Sequence, residues 1–134
     1  MKLAISGEVP AKGFGLDEFL QIVSDLGVSA IEIWPENIPF IDGKDGLYRS
    51  YRNRDINRAL NLLDKWNVKV ACASFGGAFD TVFTDKESFY TEELILAIKT
   101  ASQLGAGFVN SYLYHLSMDD EPDYARLRRI YGPA

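Results

Sequence analysis

The sequence alternates amphipathic helical segments with short apolar runs, and this alternation constrains the fold more than any other feature. Three segments place apolar side chains at helical spacing and end at glycine or asparagine. They are residues 16–27, 55–67 and 91–105. Glycine and asparagine adopt the left-handed conformation of a helix C-cap at the lowest cost. The pattern therefore predicts three helices that end at these residues.

Each predicted helix leads within one to three residues into a short, apolar run. These runs are residues 30–34, 68–74 and 108–114, and a fourth, residues 2–6, opens the chain. Such runs are typical of strands that helices cover on at least one face. Strands and helices in strict alternation predict an α/β fold with four parallel strands and right-handed crossovers.

The bulk properties exclude several classes of protein. With 134 residues we expect one domain, residues 1–134, and a net charge of -5 offers no basic face for nucleic acid. No apolar run approaches the ~20 residues of a membrane span, and the N-terminus becomes polar too early for a signal peptide. The lone cysteine, Cys72, excludes an intrachain disulfide. We therefore expect a cytosolic protein, with Cys72 in its core.

The predicted loops differ in length according to which end of a strand they follow. Links from helix to strand are very short, whereas about 20 residues separate Trp34 from Asp55 and about 14 follow Ser74 before the next helix. Long irregular loops are uncommon in compact domains unless they have a function. In parallel α/β folds these loops lie at the C-terminal edge of the strands, where ligands bind. We therefore look for the site there.

Three short motifs carry a resemblance to a known group of enzymes. They are SDLGVSAIEIW, QLGAGFVNS and, after the first strand, GEV. Together they resemble the N-terminal half of the xylose-isomerase-like TIM barrels, which include sugar (phosphate) isomerases and epimerases, inosose dehydratase-like enzymes and endonuclease-IV-type nucleases. A full barrel has eight strands and about 250 residues. The resemblance therefore implies half a barrel with the start of a fourth helix, and the end at Ala134 looks cut.

The resemblance implies that the full-length parent is a divalent-metal-dependent isomerase or epimerase of a sugar, sugar phosphate or cyclitol. In that class a carboxylate removes a proton beside a carbonyl, and Mn²⁺, Mg²⁺, Co²⁺ or Zn²⁺ stabilises the developing enediolate. The metal ligands and paired catalytic glutamates come mainly from strands five to eight. The resemblance thus implies that this chain alone is inactive and that the metal belongs only to the parent. This half would supply the substrate-binding wall of the pocket: Glu8, Trp34, Glu36, Phe75 and His115.

Glu32 is the least expected residue of the second strand. By the two-residue period of a strand, Glu32 and Trp34 share the face opposite Ile31 and Ile33, which we expect to pack against helices. Glu32 is then either a buried carboxylate satisfied by a neighbouring strand or a group that orients the substrate. A half-buried carboxylate is costly, which favours a reason for its presence.

The remaining candidates each have a structural and a functional interpretation. Trp34 either stacks on a sugar or closes the barrel top, and Glu36 either binds hydroxyls or is solvated. Residues 74–77, SFGG, form either a plain turn or a close approach of backbone to substrate. His115 is the only histidine, and one ligand alone does not bind a metal.

Three arginines, Arg49, Arg52 and Arg54, lie in the long second loop just before a helix N-terminus. They either hold the phosphate of a sugar phosphate or form a solvated run of charge.

Two other functions stay open at this stage. One is a small open-sheet α/β binding or regulatory domain of the flavodoxin-like kind, and the other is an endonuclease-IV-like phosphodiesterase. The single histidine and the acidic pI of about 4.8 disfavour the nuclease. Four parallel strands also leave two open edges and one uncovered face. We therefore expect a homo-oligomer that binds a sugar or sugar phosphate.

Overall fold

Four strands and four helices alternate along the part of the chain that the computed structural model describes, residues 3–8, 14–76, 87–111 and 121–134. The strands are β1 (Ile5–Ser6), β2 (Ala30–Ile33), β3 (Lys69–Phe75) and β4 (Phe108–Ser111). The helices are α1 (Leu16–Asp25), α2 (Ile56–Trp66), α3 (Glu87–Gln103) and α4 (Tyr124–Tyr131), and a short 3-10 helix, Pro35–Asn37, follows β2. Within these residues, none of the helices has both the length and the apolar character needed to cross a bilayer.

The predicted helix ends are confirmed where glycine or asparagine follows a helix. Gly27 and Gly105 both have φ of 70°, and Asn67 has φ of 52° in the left-handed region. α2 also begins with a side-chain cap, because the Asp55 carboxylate accepts a hydrogen bond from the Arg58 backbone N–H at 2.9 Å. α3 begins at Glu87, four residues before the predicted start at 91. Its apolar face is therefore one turn longer than expected.

The four strands form one parallel sheet in the order β1-β2-β3-β4. Flavodoxin-like sheets instead place the second strand outside the first, in the order 2-1-3-4-5, because their crossovers change direction. In the described sheet each strand lies beside the strand that precedes it in the sequence, always on the same side. The interpretation as a flavodoxin-like open sheet is therefore wrong, and the sequential order is that of a barrel wall.

One face of the sheet carries the hydrophobic core against the helices. Ile31 and Ile33 are fully buried there with Leu20 of α1, Leu63 of α2 and Ala97 of α3. The expected alternation along β2 is confirmed, since Glu32 lies between the two isoleucines and is only part-buried. We call the opposite face, which carries Glu32, the inward face.

A register shift between β2 and β3 decides which side chains of β3 reach each face. Ile31 pairs with Val70, but Glu32 pairs with Cys72, so Ala71 is an extra residue on β3. Such a bulge reverses the two faces of the residues that follow it. Cys72 therefore points to the inward face and is only part-buried, which corrects its expected place in the core.

The same register shift turns the side chain of Phe75 to the helix side of the sheet. It is fully buried on the helix side, with its ring centroid 5.2 Å from that of Tyr90 in α3. The expectation that Phe75 lines a substrate pocket is therefore wrong, because the bulge turns its side chain into the core. Ser74 takes the inward position instead.

The inward face carries small and polar side chains together with one large apolar one. Paired positions place Ser6, Glu32, Cys72 and Phe108 on this face. Phe108 is 75% exposed. Within the described residues, β1 and β4 each pair on one side only, so the sheet has two open edges and an accessible face.

Candidate functional site

The long loop between β2 and α2 folds back on itself at the C-terminal edge of the sheet. Phe40 and Arg54 form an isolated antiparallel bridge, and the backbone N–H of Ile41 donates to the Asn53 carbonyl at 2.9 Å. The loop between them is therefore closed at its base, in the manner of a compact Ω-loop. Its residues are held in place rather than extended into solvent.

Arg54 is the internal anchor of this loop. Its buried guanidinium donates to four backbone carbonyls and lies 3.8 Å from the centroid of the Phe40 ring. The four acceptors are the carbonyl oxygens of Ile38, Leu47, Tyr48 and Ser50, at 2.6 to 3.3 Å. Arg54 is therefore neither a solvated charge nor available to a phosphate, because a planar fork of donors already satisfies the loop backbone.

Arg52 is also occupied by a partner within the protein. Its Nε and Nη2 atoms donate to Glu93 Oε1 at 3.0 and 2.8 Å, and Ser50 Oγ donates to the other oxygen of the same carboxylate. Glu93 belongs to α3 and is almost fully buried. This ion pair ties the loop to α3, so the phosphate interpretation of Arg52 is not supported either.

The ends of β1 and β2 are joined by Asn37. Its side chain donates to the Gly7 carbonyl at 2.8 Å and accepts from the Trp34 backbone N–H at 2.7 Å. A Cβ atom on Gly7 would lie 2.2 Å from the Asn37 side-chain oxygen, so only glycine fits there. Glu8 follows Gly7 and is thereby fixed at the mouth of the sheet.

Tyr51 joins the ends of β2 and β3 in a similar way. Its buried hydroxyl donates to the carbonyls of Ile33 at 3.2 Å and Ser74 at 2.8 Å. Burial raises the pKa of this phenol well above its usual value, and nearby Glu36 raises it further. Tyr51 therefore stays a neutral donor and is a structural group.

Trp34 and Glu36 lie at the C-terminal end of β2, as expected, but both side chains are covered. Trp34 is 1% exposed, and the Arg49 guanidinium carbon lies 4.4 Å from the centroid of its ring. The side chain of Glu36 is 2% exposed and pairs with Arg49 Nε at 3.2 Å. Arg49 thus covers both side chains in the described structure, and the contacts expected of Trp34 with a sugar and of Glu36 with its hydroxyls stay predictions.

Glu8 is the accessible carboxylate of this group. Its side chain is 45% exposed and accepts from Arg49 Nη2 at 3.2 Å. Arg49 is therefore held between two carboxylates, one open to solvent and one buried. Burial raises the pKa of Glu36, against the opposing attraction of Arg49, so this carboxylate depends on its arginine to stay ionised at lower pH.

Glu32 is satisfied by neighbours on both sides of its strand. Ser74 Oγ of β3 donates to its carboxylate, and Asn110 Nδ2 of β4 lies 3.4 Å from the same oxygen. Burial alone would raise the pKa of Glu32, but hydrogen bonds from Ser6, Ser74 and Asn110 outweigh burial and lower the pKa. Glu32 is therefore an ionised acceptor held by three different strands.

Two solved structures are similar to this chain in fold. The chain is similar to a sugar phosphate isomerase/epimerase from Parabacteroides distasonis, with a TM-score of 0.55 and 13% identity over 87% of this chain and 41% of that one. It is also similar to a candidate xylose isomerase from Rhodospirillum rubrum, with a TM-score of 0.64 and 18% identity over 98% of this chain and 46% of that one. The chain has the fold of half a TIM barrel, as these two structures do over the matched part.

The half-barrel spans less than half the length of either structure to which it is similar. At these identities the likeness concerns the fold. No protein-family model matches the sequence, and no curated protein matches it either. The expected half-barrel is thus confirmed, and its chemistry rests on the geometry of its own residues.

The remaining predicted site residues fall outside this geometry. His115 and Gly77 lie outside the described residues. Within the described ranges, no three carboxylate, thiol or imidazole side chains gather closely enough to hold a metal ion. The half-barrel therefore brings together Glu8, Glu32, Glu36 and Trp34 near the strand ends, with Phe75 turned away.

Several residues that organise the site were not predicted from the sequence. Asn37, Ser50, Tyr51 and Glu93 are all buried polar or hydroxyl-bearing side chains. Their partners are mostly backbone carbonyls, or side chains more than forty positions away, as with Ser50 and Glu93. The only sequence signal was a loop unusually rich in tyrosine and arginine, in LYRSYRNR.

The lowered pKa of Glu32 predicts how stability changes with pH. A carboxylate whose pKa falls on folding stabilises the native state above its unfolded pKa, near 4.5, and this contribution is lost as pH falls through the lower folded value. We expect Glu32→Gln to lower the free energy of unfolding by about 1 kcal/mol at pH 7 and by less below pH 4.5. Urea denaturation between pH 3 and 7 measures the difference.

The matched control is Glu18→Gln, because Glu18 is exposed on α1. We expect its effect to stay within about 0.5 kcal/mol at every pH. A cost of Glu32→Gln that grows on acidification would contradict the assignment of Glu32 as a hydrogen-bonded, ionised carboxylate.

Proposed function

We propose that the half-barrel supplies one half of the active site of a divalent-metal-dependent isomerase or epimerase that acts on a sugar or sugar phosphate. The observation that carries this proposal is the placement of Glu8 just after the end of β1, at the mouth, and of Glu32 in the C-terminal half of β2, on the inward face. Active sites of TIM barrels lie at that end of the strands. The names of the two similar structures support the substrate class.

In this proposal Glu32 orients the substrate and does not remove its proton. A general base works best when its pKa lies near the working pH, whereas hydrogen bonds lower the pKa of Glu32 below its usual value. A carboxylate that is ionised at neutral pH is a good acceptor for sugar hydroxyls. Glu8, which is more exposed, would accept from hydroxyls at the mouth.

The metal is assigned to the part of the barrel that the described residues do not form. The described carboxylates and the thiol do not assemble into a three-ligand group, so they do not fit a metal site by themselves. A metal in this class of enzyme polarises the substrate oxygen. Under the proposal, this half binds and orients the sugar, and the other four (β/α) units hold the metal and the base.

A second copy of the chain is proposed to close the open edges of this wall, although it carries the same residues and so supplies neither the metal ligands nor the base, which stay with the other half of a full-length parent. Two copies of a four-stranded wall supply the eight strands of a barrel, with β4 of each copy beside β1 of the other. Phe108, exposed on the inward face, would then be enclosed in the barrel interior. The open edges of β1 and β4 would be paired, which removes an aggregation hazard.

The test measures both the self-association of the chain and the catalytic activity of the complete barrel. Sedimentation at micromolar concentration is expected to show a dimer, and Phe108→Glu is expected to shift it to monomer because a buried charge is costly. The full-length eight-stranded form, in which four further (β/α) units complete this half within one chain, is expected to interconvert aldoses and ketoses, or epimers, with Mn²⁺, Mg²⁺, Co²⁺ or Zn²⁺, and to lose this activity with EDTA. The 134-residue chain is expected to be inactive, both as a dimer and as a monomer.

Three different results would each contradict one part of the proposal. A compact, stable monomer of the wild-type chain would contradict the closure of its open edges by a second copy. Turnover by the 134-residue chain, as a dimer or as a monomer, would contradict the division of the site. A full-length eight-stranded form that interconverts no sugar, sugar phosphate or cyclitol with any of the four metals would contradict the proposed function.

A further inference from the structure

Tyr48 and Glu8 are two accessible side chains beside Arg49 at the rim of the sheet. Tyr48 is 54% exposed, and its ring centroid lies 5.9 Å from the Arg49 guanidinium carbon. Glu8 lies beside the same guanidinium. Trp34 is covered by Arg49, so among the described residues Tyr48 is the aromatic ring with an open surface beside Arg49.

The backbone that carries Tyr48 is held in place. Arg54 Nη2 donates to the Tyr48 carbonyl at 2.6 Å and to the Leu47 carbonyl at 3.3 Å. The Ser50 backbone N–H donates to the Leu47 carbonyl at 3.1 Å. An aromatic side chain on a fixed backbone loses little conformational freedom when it binds a ligand, which is a property of good binding residues.

The charges around Arg49 argue against a phosphate at this rim. Its guanidinium already pairs with Glu8 and Glu36, so two carboxylates face one cation. Arg52 pairs with Glu93 and Arg54 with the loop carbonyls, so all three arginines of the loop have partners. A phosphate would have to displace a carboxylate and then meet it as a like charge.

An uncharged sugar can bind at this rim without displacing a carboxylate from Arg49. The C–H face of a pyranose or furanose ring is apolar and can lie on the Tyr48 ring, while its hydroxyls donate to the Glu8 carboxylate. Neither contact requires Arg49 to release its partners. The rim thus combines an apolar surface and a hydrogen-bond acceptor at neighbouring positions.

We infer that Tyr48 and Glu8 form a subsite for the uncharged polyol part of the substrate, and that a phosphate group adds no affinity there. This inference rests on the proposed function, because it names the part of a sugar that this half of the barrel binds.

Binding of D-fructose and D-fructose 6-phosphate to the wild-type chain tests the subsite, with saturation-transfer NMR titrations as the readout. We expect the two dissociation constants to agree within about threefold. Tyr48→Ala is expected to weaken D-fructose binding by about threefold to tenfold, because the stacking surface is lost. Tyr48→Phe is expected to bind like the wild type, since it keeps the ring.

Leu47→Ala is the matched control, because Leu47 is an exposed apolar neighbour in the same loop. We expect no change in its binding, and circular dichroism verifies that each variant is folded. Absence of D-fructose binding to the wild type, or equal binding by Tyr48→Ala and wild type, would overturn the subsite. Binding of D-fructose 6-phosphate more than about fivefold tighter, and lost in Arg49→Ala, would overturn its selectivity for uncharged groups.

These failures are separate from failure of the proposed function. If the phosphorylated sugar binds more tightly and the full-length eight-stranded form still turns sugars over, the enzyme assignment stands and the neutral subsite falls. If D-fructose binding depends on Tyr48 but the full-length eight-stranded form shows no turnover, the subsite stands as a binding site and the enzyme assignment falls.

Discussion

Arg54→Met is expected to lower the free energy of unfolding by about 3 kcal/mol. The substitution removes donors from four backbone carbonyls of the loop between β2 and α2, while it keeps most of the volume and apolar contact of the side chain. Buried carbonyls without a donor carry the full cost of lost hydration. Urea denaturation followed by circular dichroism measures the change.

Two further substitutions separate the forked guanidinium from its charge. Arg54→Lys keeps the charge but presents a point donor in place of a planar fork, so we expect it to recover less than half of the loss. Arg58→Met makes the same chemical change on the exposed face of α2 and is expected to cost less than about 0.5 kcal/mol. If Arg54→Met and Arg58→Met have similar effects, Arg54 is not the anchor of the loop.

Arg54→Met is also expected to weaken sugar binding at the candidate site. Because Arg54 holds the carbonyls of Leu47 and Tyr48, the ring of Tyr48 is expected to lose its fixed position in Arg54→Met. We therefore expect D-fructose binding to weaken in the folded fraction of this variant, whereas Arg58→Met retains it. The stability of the loop and the geometry of the rim depend on the same side chain.

Phe75→Ala is expected to lower the free energy of unfolding by about 3 to 5 kcal/mol, because it opens a cavity between β3 and α3. The ring is fully buried and packs against Tyr90, which is itself buried. Denaturant unfolding at low protein concentration measures this cost on the monomer.

The matched control is Phe108→Ala, which removes the same side chain from the opposite face of the sheet. Phe108 is largely exposed, so we expect a change within about 0.5 kcal/mol in the monomer and a weaker self-association. If the two substitutions had equal effects on monomer stability, the assignment of faces along β3 and β4 would be incorrect.

The order of elements could be predicted from the sequence because it depends on local periodicity. Helical stripes that end at Gly27, Asn67 and Gly105 are confirmed by backbone angles that only a few residue types adopt readily. The alternation of Ile31, Glu32 and Ile33 in β2 is confirmed for a similar reason, since the period of a strand is a local property.

The faces of β3 could not be predicted in the same way. A one-residue insertion reverses the two faces of the strand, and the residue that makes it, Ala71, has no local signature. Cys72 was expected in the core as a lone cysteine with no motif beside it, and Phe75 was expected in the pocket wall through the resemblance. Both were corrected by the pairing of β3 with β2.

The roles of the three arginines in the long loop could not be predicted from the sequence either. A cluster of three arginines is compatible with a phosphate site or with a solvated surface, and no acidic residue lies next to them in LYRSYRNR. In the structure Arg52 pairs with Glu93, forty-one positions away along the chain, and Arg49 pairs with Glu8, also forty-one positions away. Only the folded chain brings these carboxylates to the loop.

The sequence by itself determined the α/β architecture, the parallel order and the strand edge at which to look for a site, because helical and strand periods and C-cap residues act over a few positions. Tertiary structure alone decided that Glu32 is held by three strands, that Arg49 covers Trp34, and that Tyr48 is left open. These outcomes depend on register and on contacts between residues far apart in the chain, which no local pattern encodes.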